Sequence, residues 1–310
     1  IAEFIAGLLK GYFGNLSDKV GKRSVFVVIG YGLSAISKPL PGIFQNIPTV
    51  LFSRVADRTG KGIRTAPRDA LLGSYSNGNS GAVFGFHRAM DTLGAAIGPI
   101  TSLVLLHYFP DNFQLIFLLA FVPSVIAVLL TMLIKDKPIN TNLKSKQNYF
   151  EFWKSSPKTY KKILILIVIF SLVNSSDVFL ILKSRDVSDS STLAIFGYIF
   201  YNLIYAAASY PLGDLSDKLG KKKIFSLGLV IFSLVYFGFA FIPDIKIIWL
   251  LFALYGIYAA ATEGISKAWV SDLIADEQRG SAIGLLTMLS GFSVMLGSFL
   301  TGILWDNFGS

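Results

Sequence analysis

The sequence predicts an all-α membrane protein built as two similar helical bundles. Three observations point there. Of its 310 residues, 53% are apolar and 15% charged, with a mean hydropathy of +0.60, whereas a soluble domain carries about a quarter charged residues. The apolar residues gather into runs of roughly 20, the length that crosses a ~30 Å hydrocarbon core. Finally, the charged decapeptide GNLSDKVGKR at 14–23 returns as GDLSDKLGKK at 213–222, an offset of 199 residues. The short alternating patterns of a membrane-spanning β-barrel do not describe this chain.

Ten apolar segments are predicted as spans: 1–16, 24–41, 47–72, 81–108, 113–135, 161–183, 192–212, 224–243, 246–269 and 280–305. A polar stretch rich in Lys, Asn and Ser separates the fifth from the sixth. The expected organisation is an N-terminal bundle at 1–135, a linker at 136–160 and a C-terminal bundle at 161–310. A short interfacial helix is expected around YFEFW in the linker. Most lysines sit in the stretch 135–162 and the two decapeptides, and the alternate loops PLPGIFQNIP and HYFPDNFQ hold none. The positive-inside rule places the basic loops in the cytoplasm. The net charge of +9 is read the same way, as loop lysine rather than a nucleic-acid surface. The chain opens inside an apolar run without an initiator Met, and is expected to be a piece of a longer protein.

Several chemistries find no support. There is no Cys, so no disulfide and no thiolate metal site. The two histidines, His87 and His107, are about 20 residues apart and suggest no metal centre. Nucleotide-binding glycine motifs are absent, which disfavours an ATP-driven pump. No nucleophile–base pair suggests an enzyme, and no cofactor is expected.

The halves align beyond the decapeptide. GAVFGF at Gly81 matches GSAIGL at Gly280, again at offset 199, KGIRTA at Lys61 resembles EGISKA at Glu263, and Asp69 faces Asp272. A repeat of this length that keeps loop chemistry and helix order means two bundles of the kind transporters use. Each decapeptide residue type has a physical reason. Gly14 and Gly213 sit where a helix ends and let two helices approach closely. Asp18 and Asp217 suit capping a helix N-terminus or pairing with a basic residue. Gly21 and Gly220 permit a positive φ in the turn. Lys22 and Arg23, like Lys221 and Lys222, are expected at headgroup level.

Charges within the spans are the candidate functional residues, because a charge at the bilayer centre costs ~3 kcal/mol or more and cannot face lipid unassisted. In RVADRTGKGIRTAPRDALL, Arg54, Arg58, Lys61, Arg64 and Arg68 fall within a wedge of about 120°, with Asp57 beside them. Arg54 and Arg58 are candidates for binding substrate and Asp57 for carrying a proton, while Arg64 and Arg68 are read as mainly structural. Gly60 and Gly62 are expected to loosen this helix. His87 and Asp91 share a helix face and, with Arg88, form a titratable cluster; both are proton-coupling candidates, as is Glu3. In the second half Asp177 is the one carboxylate deep in its helix, and it joins Asn202 and Tyr205 as a substrate-binding candidate. Glu263 and Lys267 are read mainly as a structural pair. Gly94, Gly98 and Pro99 are expected to form a close-packed or bent segment.

The pattern G-x-L-S-D-x-x-G-K-R/K after a helix, echoed in the second half, resembles the signature loop of the major facilitator superfamily. The resemblance implies that fold, with helices 2–11 of a twelve-helix arrangement present. LGAAIGPITS at 93–102 resembles the Gly-x-x-x-Gly-Pro motif in the fifth helix of proton-coupled antiporters, and RVADRTGKGIRTAPRDALL the charged fourth helix of a bacterial subgroup. The resemblance implies a breakable latch of Gly14, Asp18, Lys22, Asp69, Gly213, Asp217 and Lys221, in which Asp69 is the expected partner of Lys22. It further implies a monomeric secondary transporter of a bacterial inner membrane, with a small-molecule substrate and protons as partners. The cationic excess favours an anionic or chelate-type solute; a proton antiporter exporting amphipathic drugs or metabolites is the alternative.

Overall fold

The structure is a computed structural model that describes residues 2–137, 148–241 and 244–308. The first part of the described chain folds into α1 (Ala2–Val20), α2 (Arg23–Ser37), α3 (Leu40–Ile43), α4 (Ile47–Tyr75), α5 (Ser80–Tyr108), α6 (Phe113–Leu119) and α7 (Phe121–Met132). Then come α8 (Tyr149–Ser155), α9 (Lys158–Val173), α10 (Val178–Ser188), α11 (Ser191–Leu219), α12 (Lys221–Phe241), α13 (Ile245–Asp272) and α14 (Arg279–Phe308). No strand occurs among the described residues. All ten expected spans are helical, three of them as broken pairs: α2/α3, α6/α7 and α9/α10. Pro39 and Pro41 account for the first break, since proline withdraws a donor and crowds the preceding turn. Among the described residues, eight helical runs are long and apolar enough to cross a membrane. The charges of α4 keep it outside that set.

Packing divides the chain into two compact units. One holds residues 1–75, 102–172 and 273–295; the other holds 76–101, 173–272 and 296–310. Their membership cuts across the two sequence halves, because the first part of α5 packs in the second unit and the first part of α14 in the first.

In the first unit α4 packs against α1 and α2, and α2 also against α7. Small residues make this possible. A Cβ on Gly30 would stand 2.6 Å from the Gly60 carbonyl oxygen, and one on Gly60 would stand 2.5 Å from the Gly30 carbonyl oxygen. A Cβ on Gly62 would meet the Leu9 side chain at 2.5 Å. Gly60 and Gly62 are therefore contact points that bring α2 and α1 onto α4, not the loosening of α4 expected from sequence. Pro67 sits within α4, which continues through it.

The second unit repeats the plan, with α13 packed against α11 and α12. Gly228 lies close to Thr262 and Ala261, and Gly256 to the Tyr201 carbonyl and Ile204. Its core is aromatic as well as aliphatic: Tyr201, Tyr205, Tyr255, Tyr258, Phe232 and Phe252 are all buried.

The helix expected around YFEFW is α8. It opens with a capping box, in which the Asn148 side chain accepts from the Glu151 amide and the Glu151 carboxylate accepts from the Asn148 amide. Buried Phe152 packs edge-on to Tyr160, their ring centroids 5.7 Å apart. Tyr149 donates to the Gly11 carbonyl, and Tyr160 donates to the Ala282 carbonyl at 3.2 Å. Rather than lying free, this part of the expected linker is fastened to α1 and α14 within the first unit.

Two expectations about glycine separate here. Gly21 and Gly220 do take positive φ, at 73° and 98°, as the turn chemistry requires. Of the expected close-packed or bent segment, close packing is not seen at Gly94 and Gly98: a Cβ at either would meet nothing within 4 Å among the described residues. On α5 the close approaches fall earlier, at Gly81 and Gly85, against Gly213 and Ser209. Gly60→Leu is expected to destabilise the protein by roughly 1–3 kcal/mol through overpacking, while Gly94→Ala should stay within about 1 kcal/mol of wild type. Thermal unfolding of both variants in detergent checks this; equal stabilities would refute the assignment of contact and open positions.

Candidate functional site

The two decapeptide aspartates do the same job in the two units. Each lies at the end of a helix and points at the start of another, where the first backbone N–H groups lack helical partners. The Asp18 carboxylate accepts from the Gly280 amide at 3.1 Å, the Ser281 amide at 2.6 Å and the Ser281 hydroxyl at 2.9 Å. It thereby caps α14. The Asp217 carboxylate accepts from the Gly81 amide at 2.9 Å and the Ala82 amide at 2.8 Å, and caps α5. The glycines enforce the approach: a Cβ on Gly14 would collide with the Gly280 carbonyl, and one on Gly213 with the Gly81 carbonyl. The motif matches found by offset, Gly14 with Gly213 and Gly81 with Gly280, are thus the two sides of two equivalent contacts.

The cations differ between copies. In the first, the partner of Asp18 is Arg23, at 2.8 Å. Arg23 is 1% exposed, and also donates to the Asp276 carboxylate at 3.0 Å, the Ser74 hydroxyl at 3.1 Å and the Asp276 carbonyl. Asp136 accepts from the backbone amides of Arg23 and Ser24 at 2.9 and 3.0 Å, and so caps α2. Burial pushes the Asp18 carboxyl above the usual carboxylate range, opposed by Arg23 and by the Ser281 hydrogen bonds. In the second copy Lys221 meets Asp217 at 2.8 Å and Asp272 at 2.7 Å, and Ser80 donates to Asp272 at 2.9 Å.

The expected Lys22–Asp69 pairing is not what the structure contains. Lys22 is the exposed, extended residue ahead of α2, so its side chain leaves the cluster that its neighbour Arg23 enters. Buried Asp69 is held by Arg68 at 2.9 Å. Arg23, Asp136 and Asp276 were missed as site residues because a basic residue in a turn and aspartates far along the chain carry no local signal of burial.

A second polar cluster lies inside the second unit. The run NSSD at 174–177 separates α9 from α10, leaving Asp177 at the start of α10. Its carboxylate accepts from Tyr255 at 2.7 Å and Tyr201 at 3.2 Å. Tyr201 stacks on Tyr205, with centroids 6.0 Å apart. Arg88 of α5 donates to the Tyr205 hydroxyl, pairs with Glu263 of α13 and reaches Asp91 at 3.1 Å. Three carboxylates, one guanidinium and three tyrosines thus form one connected group. Among the described residues no cation lies in hydrogen-bonding contact with Asp177, whose named partners are the two tyrosines.

The other candidates are placed as follows. His87 lines a small hollow with Arg88, Glu263 and Lys267, so Glu263 serves Arg88 as well as lying one turn from Lys267. Buried Asn202 donates to the Tyr198 carbonyl of its own helix at 2.8 Å. Arg54 is exposed, and Asp57 and Arg58 are half-buried, on α4 of the first unit. Arg64 rests over the Tyr31 ring. Pro99 lies within α5, which runs on to Tyr108. The Glu3 side chain lies outside the described residues. Charge within the apolar runs marked Arg88, Asp91, Asp177 and Glu263 of the second cluster, while Tyr201 and Tyr255 carried no signal that set them apart from other core aromatics.

The profile of the Major Facilitator Superfamily matches residues 1–200 and again 183–310. An uncharacterized MFS-type transporter of Methanocaldococcus jannaschii is 38% identical over 312 residues, covering 98% of this chain and 78% of the relative. A puromycin resistance protein of Streptomyces alboniger is 28% identical over 123 residues, which cover 39% of this chain and 24% of that protein. Among solved structures, the human organic anion transporter MFSD10 superposes with a TM-score of 0.84 at 14% identity, over 99% of this chain and 77% of that one. A double-tryptophan mutant of XylE gives 0.78, also at 14% identity, over 99% and 78%. With its twice-matched profile, its twin aspartate caps and its all-helical fold, this multi-pass chain belongs to the major facilitator superfamily of transporters.

Proposed function

We propose that the protein is a secondary active transporter that couples a proton to the movement of a small anionic or chelate-type solute by alternating access. The observation that carries this reading is the pair of matched caps. Each aspartate holds the first turn of a helix from the other sequence half through bonds to backbone N–H groups and one cation. Hydrogen bonds to a charged group contribute about 1.5–3 kcal/mol each. A few such bonds make a contact that is firm yet breakable, and alternating access needs states within a few kcal/mol of each other. In this reading the bundles at 1–135 and 161–310 move against each other as the caps open and close. The basic loops face the cytoplasm of an inner membrane, and the transporter acts as a monomer.

For proton coupling, the cluster of Asp177, Tyr201, Tyr205, Tyr255, Arg88, Asp91 and Glu263 offers the best supported path. Two tyrosine hydroxyls converge on Asp177, and ring contact between Tyr201 and Tyr205 places them beside the Arg88–Glu263–Asp91 group, so ionisable side chains gather in one polar patch of the bundle. This moves the leading role from His87, Asp57 and Glu3 to Asp177, with Asp91 kept. Arg54, whose guanidinium has no ion pair among the described residues, is the leading candidate for an anionic group of the solute. The second reading, a proton antiporter exporting amphipathic drugs, is favoured by the match to the puromycin resistance protein and by a chloramphenicol resistance protein of Acinetobacter baumannii, 28% identical over 123 residues.

Flux into proteoliposomes, with and without a pH gradient, distinguishes the readings when an anion panel is run beside a cationic-dye panel. Gradient-dependent flux of anions supports the first reading and of dyes the second; no flux of either counts against both. Asp18→Asn should change turnover by roughly tenfold, the equivalent of about 1.4 kcal/mol, with assembly intact; unchanged turnover would sink the latch. Asp177→Asn should leave solute exchange but abolish its dependence on the pH gradient. Retained proton uptake would return that role to Asp91 or Asp57.

A further inference from the structure

Two positive charges share a cleft inside the first unit, and among the described residues neither has a carboxylate within ion-pair distance. The cleft, about 160 Å³, lies between α2, α4 and α7 and is lined by Tyr31, Ser34, Lys38, Arg64 and Ser124. Arg64 of α4 donates to the Gly30 carbonyl at 3.1 Å and the Ser34 hydroxyl at 2.5 Å. Its guanidinium carbon lies 4.4 Å from the Tyr31 ring centroid. Lys38, just past the end of α2, donates to the Ser124 hydroxyl at 3.0 Å. All these partners are neutral. Asp57 is seven residues before Arg64, about 10 Å along the helix axis, and Ser34 approaches its backbone carbonyl rather than its carboxylate.

Two like charges in one cleft repel each other, and half-buried Arg64 has also lost part of its hydration while Lys38 stays exposed, so a bound anion would relieve both. Gly30 lets the Arg64 stem come close to α2, and the Gly30 carbonyl and Ser34 hydroxyl hold its guanidinium in the cleft. Lys38 spends one N–H on Ser124 and keeps two of its three donors. The volume equals about five water molecules at liquid density, room for a tetrahedral oxyanion. We propose that this cleft is an oxyanion site, in which a phosphate-type group sits between the Lys38 ammonium and the Arg64 guanidinium. The group belongs either to free phosphate or to the phosphodiester of an anionic lipid. This goes beyond the transport reading, since its occupant need not be the solute carried.

Binding to the purified full chain in neutral detergent tests the site. Inorganic phosphate and phosphatidylglycerol are titrated separately, with phosphatidylcholine as the neutral lipid control, and thermal stability is read. A saturable stabilisation by phosphate identifies a soluble anion, and one by phosphatidylglycerol but not phosphatidylcholine identifies a lipid; either supports the site. Lys38→Gln, a change at an exposed side chain, should weaken that binding about tenfold or more, as expected for loss of one charge-assisted contact. Arg64→Lys should retain part of it, while Arg64→Gln should lose it. Stabilisation by neither probe, or stabilisation equally strong in Lys38→Gln, would overturn the proposal. Because the readout is binding in detergent, it can fail while gradient-driven flux persists, and the reverse.

Discussion

An ionised carboxylate taken out of water must find donors, and that constraint organises this protein. Asp18 is 1% exposed, and its bonds account for much of the local structure around it. The amides it accepts from are those that a helix start leaves unpaired. The guanidinium beside it is held in turn by Asp276, and the helix carrying that guanidinium is capped by Asp136. Four segments distant in sequence thus meet because one buried charge needs neutralising. Removing a single partner from such a group leaves an uncompensated charge, at a typical cost of 3–5 kcal/mol.

Much of the fold was legible in the sequence. The ten helical runs, the turn glycines with positive φ, the short helix within the linker and the doubled loop all carry local signatures: apolar length, turn chemistry, a repeat offset. The offset matched equivalent positions, and Gly81 and Gly280 are the two helix starts that Asp217 and Asp18 cap, though which aspartate meets which start was not legible. The grouping of the helices into packing units was not legible. Nothing local to α5 tells a reader that its first turns pack with α11 and α13, because an apolar helix reads the same whichever neighbour covers it.

The candidate sites were legible in part for a related reason. Intramembrane charge marked Arg88, Asp91, Asp177 and Glu263 singly, yet periodicity on one helix says nothing about contacts between helices. Glu263 read as a partner of Lys267 because the two lie one turn apart, whereas Arg88 comes to it from 175 residues away. Lys22 and Arg23 are adjacent in sequence but opposite in environment, one exposed and the other almost wholly buried. The turn geometry, with Gly21 in the left-handed region, decides which of them faces inward. Gly94 and Gly98 show the converse error, since small residues four apart permit a close approach without compelling one.

The twin caps are alike in backbone but not in shielding. Arg23 is 1% exposed, while Lys221 retains 12% side-chain exposure and Asp217 retains 7%. Counterions at physiological strength act over a Debye length of about 8 Å in water but penetrate little into buried pairs. Dissolved salt therefore reaches the Lys221 fastening more readily than the Arg23 one, and rising ionic strength weakens the two ends of the repeat to different degrees.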